Sequence, residues 1–232
     1  TEQLYDGGTL VATVTAAADG SYSFTGVALT AGAHSLTIKA VDAANNTSAA
    51  SPALALTIDS TAPAINSSTV IGSNAYIDVV FAEGVYGSAT AASALSSPGA
   101  FNISLVAGGV TAASILSIKK PDGATSGAAS ALTGGETTVR VFLTLTGTAN
   151  GTETVTLTAA GTSIYDSAGN VSSATTGAKS LNATGTANIQ SASYTANGST
   201  TGYVHITFTE AAYTTTPFAG ALVIADFAAT LP

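Results

Sequence analysis

The sequence YIDVVFAEGVY, residues 76–86, indicates the fold class of this chain. Its apolar residues Ile77, Val79 and Phe81 recur at every second position. Successive side chains of a β-strand point to opposite faces of a sheet, so this spacing predicts a strand with one buried face. The segments TVRVFLTL (138–145) and TVTLTA (154–159) alternate in the same way. The chain is therefore predicted to be all-β.

The same alternation predicts which residues of the two later segments are buried: Val139, Val141, Leu143, Val155 and Leu157. It leaves Phe142 beside Arg140 on the outer face, and it places Tyr76 and Tyr203 on outer faces as well. Outward aromatic residues either pack under a long loop or contact a neighbouring subunit. The sequence leaves both alternatives open.

Composition excludes several classes of protein. Hydrophobic residues make up 46% of the 232 residues, yet none of the apolar runs approaches the ~20 residues that span a bilayer, so no membrane insertion is expected. The net charge of −8, from 13 acidic and 5 basic residues, disfavours a nucleic-acid partner, because such binding depends on clustered Lys and Arg. There is no cysteine for a disulfide or a thiolate site.

An internal repeat organises the chain. Residues 65–86 match residues 189–213, with Tyr76, Phe81, Glu83 and Tyr86 falling on Tyr203, Phe208, Glu210 and Tyr213 at a constant offset of 127 (210 − 83 = 127). We predict three units: 1–59, 60–186 and 187–232. The second has loop inserts at 87–99 and 119–136, and the third is expected to hold only the start of a repeat.

The first unit has its own turn signals. Asp6-Gly7 predicts a tight hairpin, because these residues readily supply the positive φ angles of such a turn. Asp19-Gly20 predicts a second turn, followed by a strand at Ser21–Phe24. Leu54 and Leu56 are expected to contribute to a core.

The pattern LYDGG…VATVTAAADGSYSFTG…LTAGAHSLTIKAVDAANNTS…LTIDSTAP, residues 1–63, resembles the bacterial Ig-like repeat of large surface adhesins and S-layer-type proteins. The second unit resembles a cadherin-like Ig repeat, with FAEGVY near its start and IYDSAGN near its end. The resemblance implies tandem immunoglobulin-like β-sandwich domains in an extended array. It also implies that the first unit lacks its opening strand.

Two glutamates recur at the ends of equivalent strands. Glu83 follows Ile77, Val79 and Phe81 on the inward face, and Glu210 is its repeat. A carboxylate at the rim of a sandwich needs donors or a cation, because an unpaired buried charge is costly. It either caps backbone amides of the adjacent loop or binds Ca²⁺.

Two loops offer further oxygen ligands. One contains Asp42, Asn45 and Asn46, and the other contains Asp166 and Asn170. Ca²⁺ takes six to eight oxygen ligands, which neither loop supplies alone. We predict that Asp59, next to the unit boundary, completes a site with the Asp42 loop. The alternative is an Asx turn, in which Asp and Asn bond their own backbone without a metal.

No enzymatic motif is present, and His34 and His205 are interpreted as structural or solvated residues. We expect an extracellular, cell-surface structural protein, a segment of a surface layer, sheath or filament. Its expected partners are copies of itself or neighbouring modules, and cell-surface glycans are a further option. An adhesin stalk and an accessory module of a secreted hydrolase are the alternatives.

Overall fold

The computed structural model describes residues 1–184, 189–196 and 202–208. These residues form antiparallel sheets and one short 3₁₀ turn at Pro98–Ala100, with no α-helix among them. The strands are β1 (Glu2–Asp6), β2 (Thr9–Val14), β3 (Gly32–Ala40), β4 (Leu54–Ile58), β5 (Ile65–Val70), β6 (Tyr76–Val85), β7 (Phe101–Val106), β8 (Val110–Lys119), β9 (Glu136–Gly147), β10 (Thr154–Ala159), β11 (Lys179–Ser180), β12 (Ile189–Ala196) and β13 (Gly202–Phe208). The predicted all-β class is confirmed.

Residues 65–180 form a two-layer sandwich. One sheet has the order β5-β6-β9-β8 and the other has the order β11-β10-β7. A single hydrophobic cluster lies between them, and the rings of Phe81 and Phe101 meet across it at 6.4 Å. The predicted buried set belongs to this cluster: Ile77, Val79, Phe81, Val139, Val141, Leu143, Val155 and Leu157. Burial of alternate residues therefore holds the two sheets together.

The outward aromatic residues Tyr76 and Phe142 pack under the second insert. Their rings meet edge to face at 5.4 Å, and they form a small buried cluster with Ala129 of that insert. Only 3% of Phe142 is exposed. Of the two alternatives left open for these residues, packing under a loop is the correct one.

The first 60 residues form a separate four-stranded sheet with the order β2-β1-β3-β4. The hairpin predicted at Asp6-Gly7 joins β1 to β2. The strand predicted at Ser21–Phe24 is wrong, because Asp19 instead accepts hydrogen bonds from the backbone and hydroxyl of Ser21 and no strand pairs with the segment that follows.

The first sheet buries little apolar surface. Leu4 is the one buried hydrophobic residue of β1–β4, whereas Leu54 and Leu56 on the edge strand β4 are 63% and 38% exposed. Their predicted place in a core is therefore wrong. No second sheet packs on this face within the described residues, so the leucines have nothing to pack against.

The repeated sequence folds into the same hairpin twice. Ile65 pairs with Phe81 in β5–β6, and Ile189 pairs with Phe208 in β12–β13. In each hairpin the register then shifts by one residue, before Ser67 in the first and before Ser191 in the second. A shared bulge at the same position indicates that the repeat extends to backbone geometry.

Candidate metal centre

Three carboxylates meet where the first sheet is joined to the sandwich. One oxygen from each of Asp59, Glu83 and Asp166 lies within 4.8 Å of the others. Asp59 is exposed and follows β4, Glu83 is half-buried near the end of β6, and Asp166 is buried in a turn beyond β10. Side chains far apart in sequence therefore share one site.

Backbone pairing brings Glu83 and Asp166 together. The register between β6 and β9 shifts between Val80 and Val85, so Glu83 lies where the ladder is interrupted. Immediately after β6, Tyr86 exchanges two backbone hydrogen bonds with Tyr165, of 2.8 and 3.0 Å. This bridge places the Asp166 turn beside the end of β6.

The Asp166 carboxylate is held by its own turn. It accepts hydrogen bonds from the backbone NH groups of Ala168 and Asn170 and from the side-chain amide of Asn170, at 2.8, 2.8 and 2.7 Å. Gly169 has a φ of 90°, a conformation that suits glycine. The turn therefore fixes the carboxylate before any ligand arrives.

The same turn fixes the linker 59–63. The Asn170 amide nitrogen donates to the carbonyl oxygens of Asp59 and Thr61, at 3.2 and 3.4 Å. The hydroxyl of Ser172 donates to the carbonyl oxygen of Pro63 at 2.6 Å. The linker is thus attached to the sandwich along one side, which brings Asp59 into the carboxylate cluster.

The electrostatics of the cluster are unbalanced. Burial raises the pKa of Glu83 above its usual 4.5, and the charges of Asp166 and Asp59 raise it further. For Asp166, burial is opposed by its hydrogen bonds to Asn170 and Ala168, which hold its pKa below 3.8. The ion pairs of the described residues join other groups, His34 to Asp6, Lys120 to Glu136 and Arg140 to Asp78. The cluster therefore carries negative charge, and no cationic side chain among the described residues forms an ion pair with it.

These ligand atoms suit a hard cation. All are carboxylate oxygens, and neighbouring backbone carbonyls and water can supply the rest of a six- to eight-oxygen shell. Two oxygens bound to one Ca²⁺ at 2.3–2.6 Å are up to about 5 Å apart, which the cluster satisfies before any movement. Zn²⁺ is less well suited, because no His or Cys is in the group.

The structure groups the predicted metal ligands differently from the sequence-based prediction. Asp42 is not in the carboxylate group. Its oxygens accept from the backbone of Ala44 and Asn46 and from the side chain of Asn46, as in the Asx-turn alternative, and Asn45 has a φ of 66° in that turn. Asp59, predicted to join the Asp42 loop, lies with Glu83 and Asp166. Glu210 lies outside the described residues.

Sequence reasoning missed an ion pair in the first sheet. Asp6 on β1 and His34 on β3 are far apart in sequence, but the strands place the carboxylate 2.6 Å from His34 Nδ1. His34 Nε2 lies 2.8 Å from the carbonyl oxygen of Thr30. Both ring nitrogens therefore face acceptors, an arrangement that favours the doubly protonated imidazolium.

This pair predicts a pH dependence of stability. The hydrogen bond to Asp6, and then that to Thr30, raise the pKa of His34 above 6.5. A raised histidine pKa stabilises the fold fully below the unfolded value, and the stabilisation is lost as pH rises through the folded value. We therefore expect the melting temperature of the first sheet to fall as pH rises above about 6.5. Thermal unfolding from pH 5 to 9 measures it, with His34→Gln as the control that lacks this slope.

The architecture is that of an all-β protein with immunoglobulin-like antiparallel sheets. Residues 1–60 match the family model of the bacterial Ig-like domain, which confirms the resemblance found in the sequence of that region. Domains of this family are generally non-catalytic modules of surface proteins. Comparison with curated proteins and with solved structures gave no match. Among the described residues, no helix has the length and hydropathy needed to span a bilayer.

Proposed function

We propose that this chain is a segment of a non-catalytic, extracellular structural protein whose consecutive β units are joined through a bound Ca²⁺. The observation that carries the proposal is the Asp59–Glu83–Asp166 group, because it combines a linker residue with two residues of the following sandwich. A cation bound there would connect the end of β4 to the sandwich and stiffen the junction.

The hydrogen bonds at the junction support this role. Asn170 and Ser172 already hold the linker against the sandwich, so little chain entropy remains to be lost when a cation binds. Three carboxylates that repel one another in the absence of a counter-ion become mutual ligands in its presence. The hydrogen bonds therefore hold the linker in place for the cation, and the cation would add stability by removing the repulsion among the three carboxylates.

A structural role agrees with what the rest of the described chain offers. The His34–Asp6 pair has both ring nitrogens engaged, so it has no free nitrogen to act as a general base in that state. The exposed Leu54 and Leu56 lie on the edge strand β4, whose outer backbone groups can pair with another strand. Copies of this chain or neighbouring modules are the partners we propose, in a surface layer, sheath or filament.

The test is the calcium dependence of stability. With Ca²⁺ at about 10- to 100-fold above its dissociation constant, the free energy of unfolding should rise by about 1.4–2.7 kcal/mol relative to chelated protein. Extracellular Ca²⁺ modules bind with constants of about 10⁻⁴–10⁻³ M, so the titration should extend from about 1 to about 100 mM Ca²⁺. Urea unfolding and proteolysis within the linker measure the effect, and Mg²⁺ is the comparison cation.

Two variants locate the site. Glu83→Gln should abolish the response to Ca²⁺ and should stabilise the chelated protein by up to about 1 kcal/mol, because it removes like-charge repulsion. Asp42→Asn alters a turn of the same type outside the group and should leave the response unchanged. A response that survives Glu83→Gln but not Asp42→Asn would refute this site. Sedimentation with and without Ca²⁺ separates stiffening of one chain from association of several.

A further inference from the structure

The two Asp-containing turns have the same hydrogen bonds. Asp42 and Asp166 lie 124 residues apart (166 − 42 = 124), and each accepts bonds of 2.8 Å from the backbone NH groups two and four residues later. Each also accepts a bond from the side chain of the Asn four residues later, Asn46 or Asn170. The turns are therefore copies of one structural motif.

The equivalence continues into the following serine. The backbone NH of Ser48 donates to the carbonyl of Ala40, and that of Ser172 donates to the carbonyl of Ile164, both at 2.9 Å. Ser48 and Ser172 are again 124 residues apart (172 − 48 = 124). Each turn thus carries an Asn amide and a Ser hydroxyl at the same sequence positions. The Ser48 hydroxyl oxygen accepts from the backbone NH of Ala40 at 2.9 Å, whereas that of Ser172 accepts from the backbone NH of Ala174 at 3.2 Å.

Only one of the two turns holds a linker in the described chain. Asn170 and Ser172 donate to the carbonyls of Asp59, Thr61 and Pro63. Asn46 is exposed and donates to Asp42, and the Ser48 hydroxyl donates to the carbonyl of its own neighbour Ala49.

The contacted carbonyls explain what the motif recognises. Asp59, Thr61 and Pro63 are alternate residues, and alternate carbonyls of an extended chain point to the same side. Proline keeps itself and the preceding residue extended, so a short Asp-x-Thr-x-Pro segment presents this row at a small entropic cost. The motif therefore binds the backbone carbonyls of an extended segment and makes little use of its side chains.

We propose that the turn at Val41–Ser48 is a docking site for a second linker segment of this type, an extended Asp-x-Thr-x-Pro stretch from a neighbouring Ig-like module. The Asn46 amide would donate to the carbonyl oxygens of the Asp and the Thr of that segment. The Ser48 hydroxyl would donate to the carbonyl oxygen of its Pro in place of that of Ala49. Each module would then hold a linker through its own turn. The inference rests on the proposed array only in supplying the neighbouring module, because docking uses no cation.

The test places such a segment within reach of the turn. Residues 56–66 are attached ahead of Thr1 of the full chain through a flexible Gly/Ser linker of about 20 residues, which gives a local concentration in the millimolar range. In ¹⁵N spectra recorded with chelator, we expect shifts of the Asn46 side-chain amide and the Ser48 backbone amide. Hydrogen exchange at these groups should slow about tenfold when the segment is docked for most of the time.

Three controls make the result decisive. A tether of Gly and Ser alone should leave the Asn46 and Ser48 signals at their positions in the unmodified chain. Asn46→Ala should abolish the tether-induced change at the Ser48 backbone amide, and Ser48→Ala should abolish that at the Asn46 side-chain amide. The Ala44 amide reports whether the turn is still folded in each variant. Unshifted Asn46 and Ser48 signals in the tethered chain, or changes at Asn170 instead, would overturn the proposal. Loss of Ca²⁺ binding alone would leave it standing.

Discussion

Glu153→Ala is expected to lower the free energy of unfolding of the sandwich by about 3 kcal/mol. Glu153 is fully buried, and its carboxylate accepts backbone hydrogen bonds from Val110 at 3.0 Å, Asn150 at 3.2 Å and Gly151 at 3.1 Å. Alanine leaves these donors without a partner, and an unsatisfied buried donor costs about 1–3 kcal/mol. Urea unfolding followed by circular dichroism measures the loss.

Glu136 is the matched control for this prediction. It also caps a loop, accepting bonds from the backbone NH groups of Thr133 and Gly134 and from the Thr133 hydroxyl, but it is only half-buried. Water can replace the lost bonds there, so Glu136→Ala should cost about 1 kcal/mol. Equal losses in the two variants would show that burial does not set the size of the effect.

The protonation of Glu153 also predicts how the stability of the sandwich depends on pH. Burial acting alone would raise its pKa, but the backbone donors, including Val110 and Asn150, hold it below 4.5. A depressed carboxyl pKa stabilises the fold above the unfolded value, and the contribution is lost as pH falls through the folded value. Glu153→Ala should therefore flatten the fall in stability of the sandwich below about pH 4.5.

The sequence predicts contacts between residues that are close along the chain better than contacts between residues that are far apart along it. Alternation identified Ile77, Val79 and Phe81 as core residues, because period-two burial is a local property. Glu153 was missed because one of its donors, Val110, is 43 residues away and belongs to another strand. Nothing in the local sequence of either residue marks that contact.

The candidate site shows the same division. Local patterns in the sequence predict ligands at Glu83, Asp59 and Asp166, but they assign Asp59 to the Asp42 loop. The two loops have the same turn chemistry, so sequence cannot decide which of them lies beside the linker. That choice depends on the Tyr86–Tyr165 bridge, a long-range pairing that brings only the second turn to the junction.

Arg140→Ala is expected to destabilise the sandwich by about 3 kcal/mol and to release the insert between β8 and β9. The guanidinium of Arg140 donates to both oxygens of Asp78 at 2.7 Å and to the carbonyl of Gly123 at 2.6 Å, and it lies 3.7 Å over the ring of Tyr76. Arg140 therefore joins β9 to β6 and to the insert at once. Its removal leaves a partly buried Asp78 without its counter-charge.

Arg140→Lys distinguishes the contribution of the positive charge from that of the planar guanidinium in the contacts with Asp78 and Tyr76. Lysine keeps the positive charge but cannot make the paired contact with Asp78 or stack its planar group on Tyr76, so we expect it to recover less than half of the loss. Lys120→Ala, which removes a looser 3.6 Å ion pair with Glu136, should cost less than about 1 kcal/mol. Urea unfolding gives the energies, and proteolysis within residues 120–135 reports release of the insert. Full recovery by lysine would mean that charge alone holds the insert, which the forked hydrogen bonds and ring stacking of Arg140 contradict.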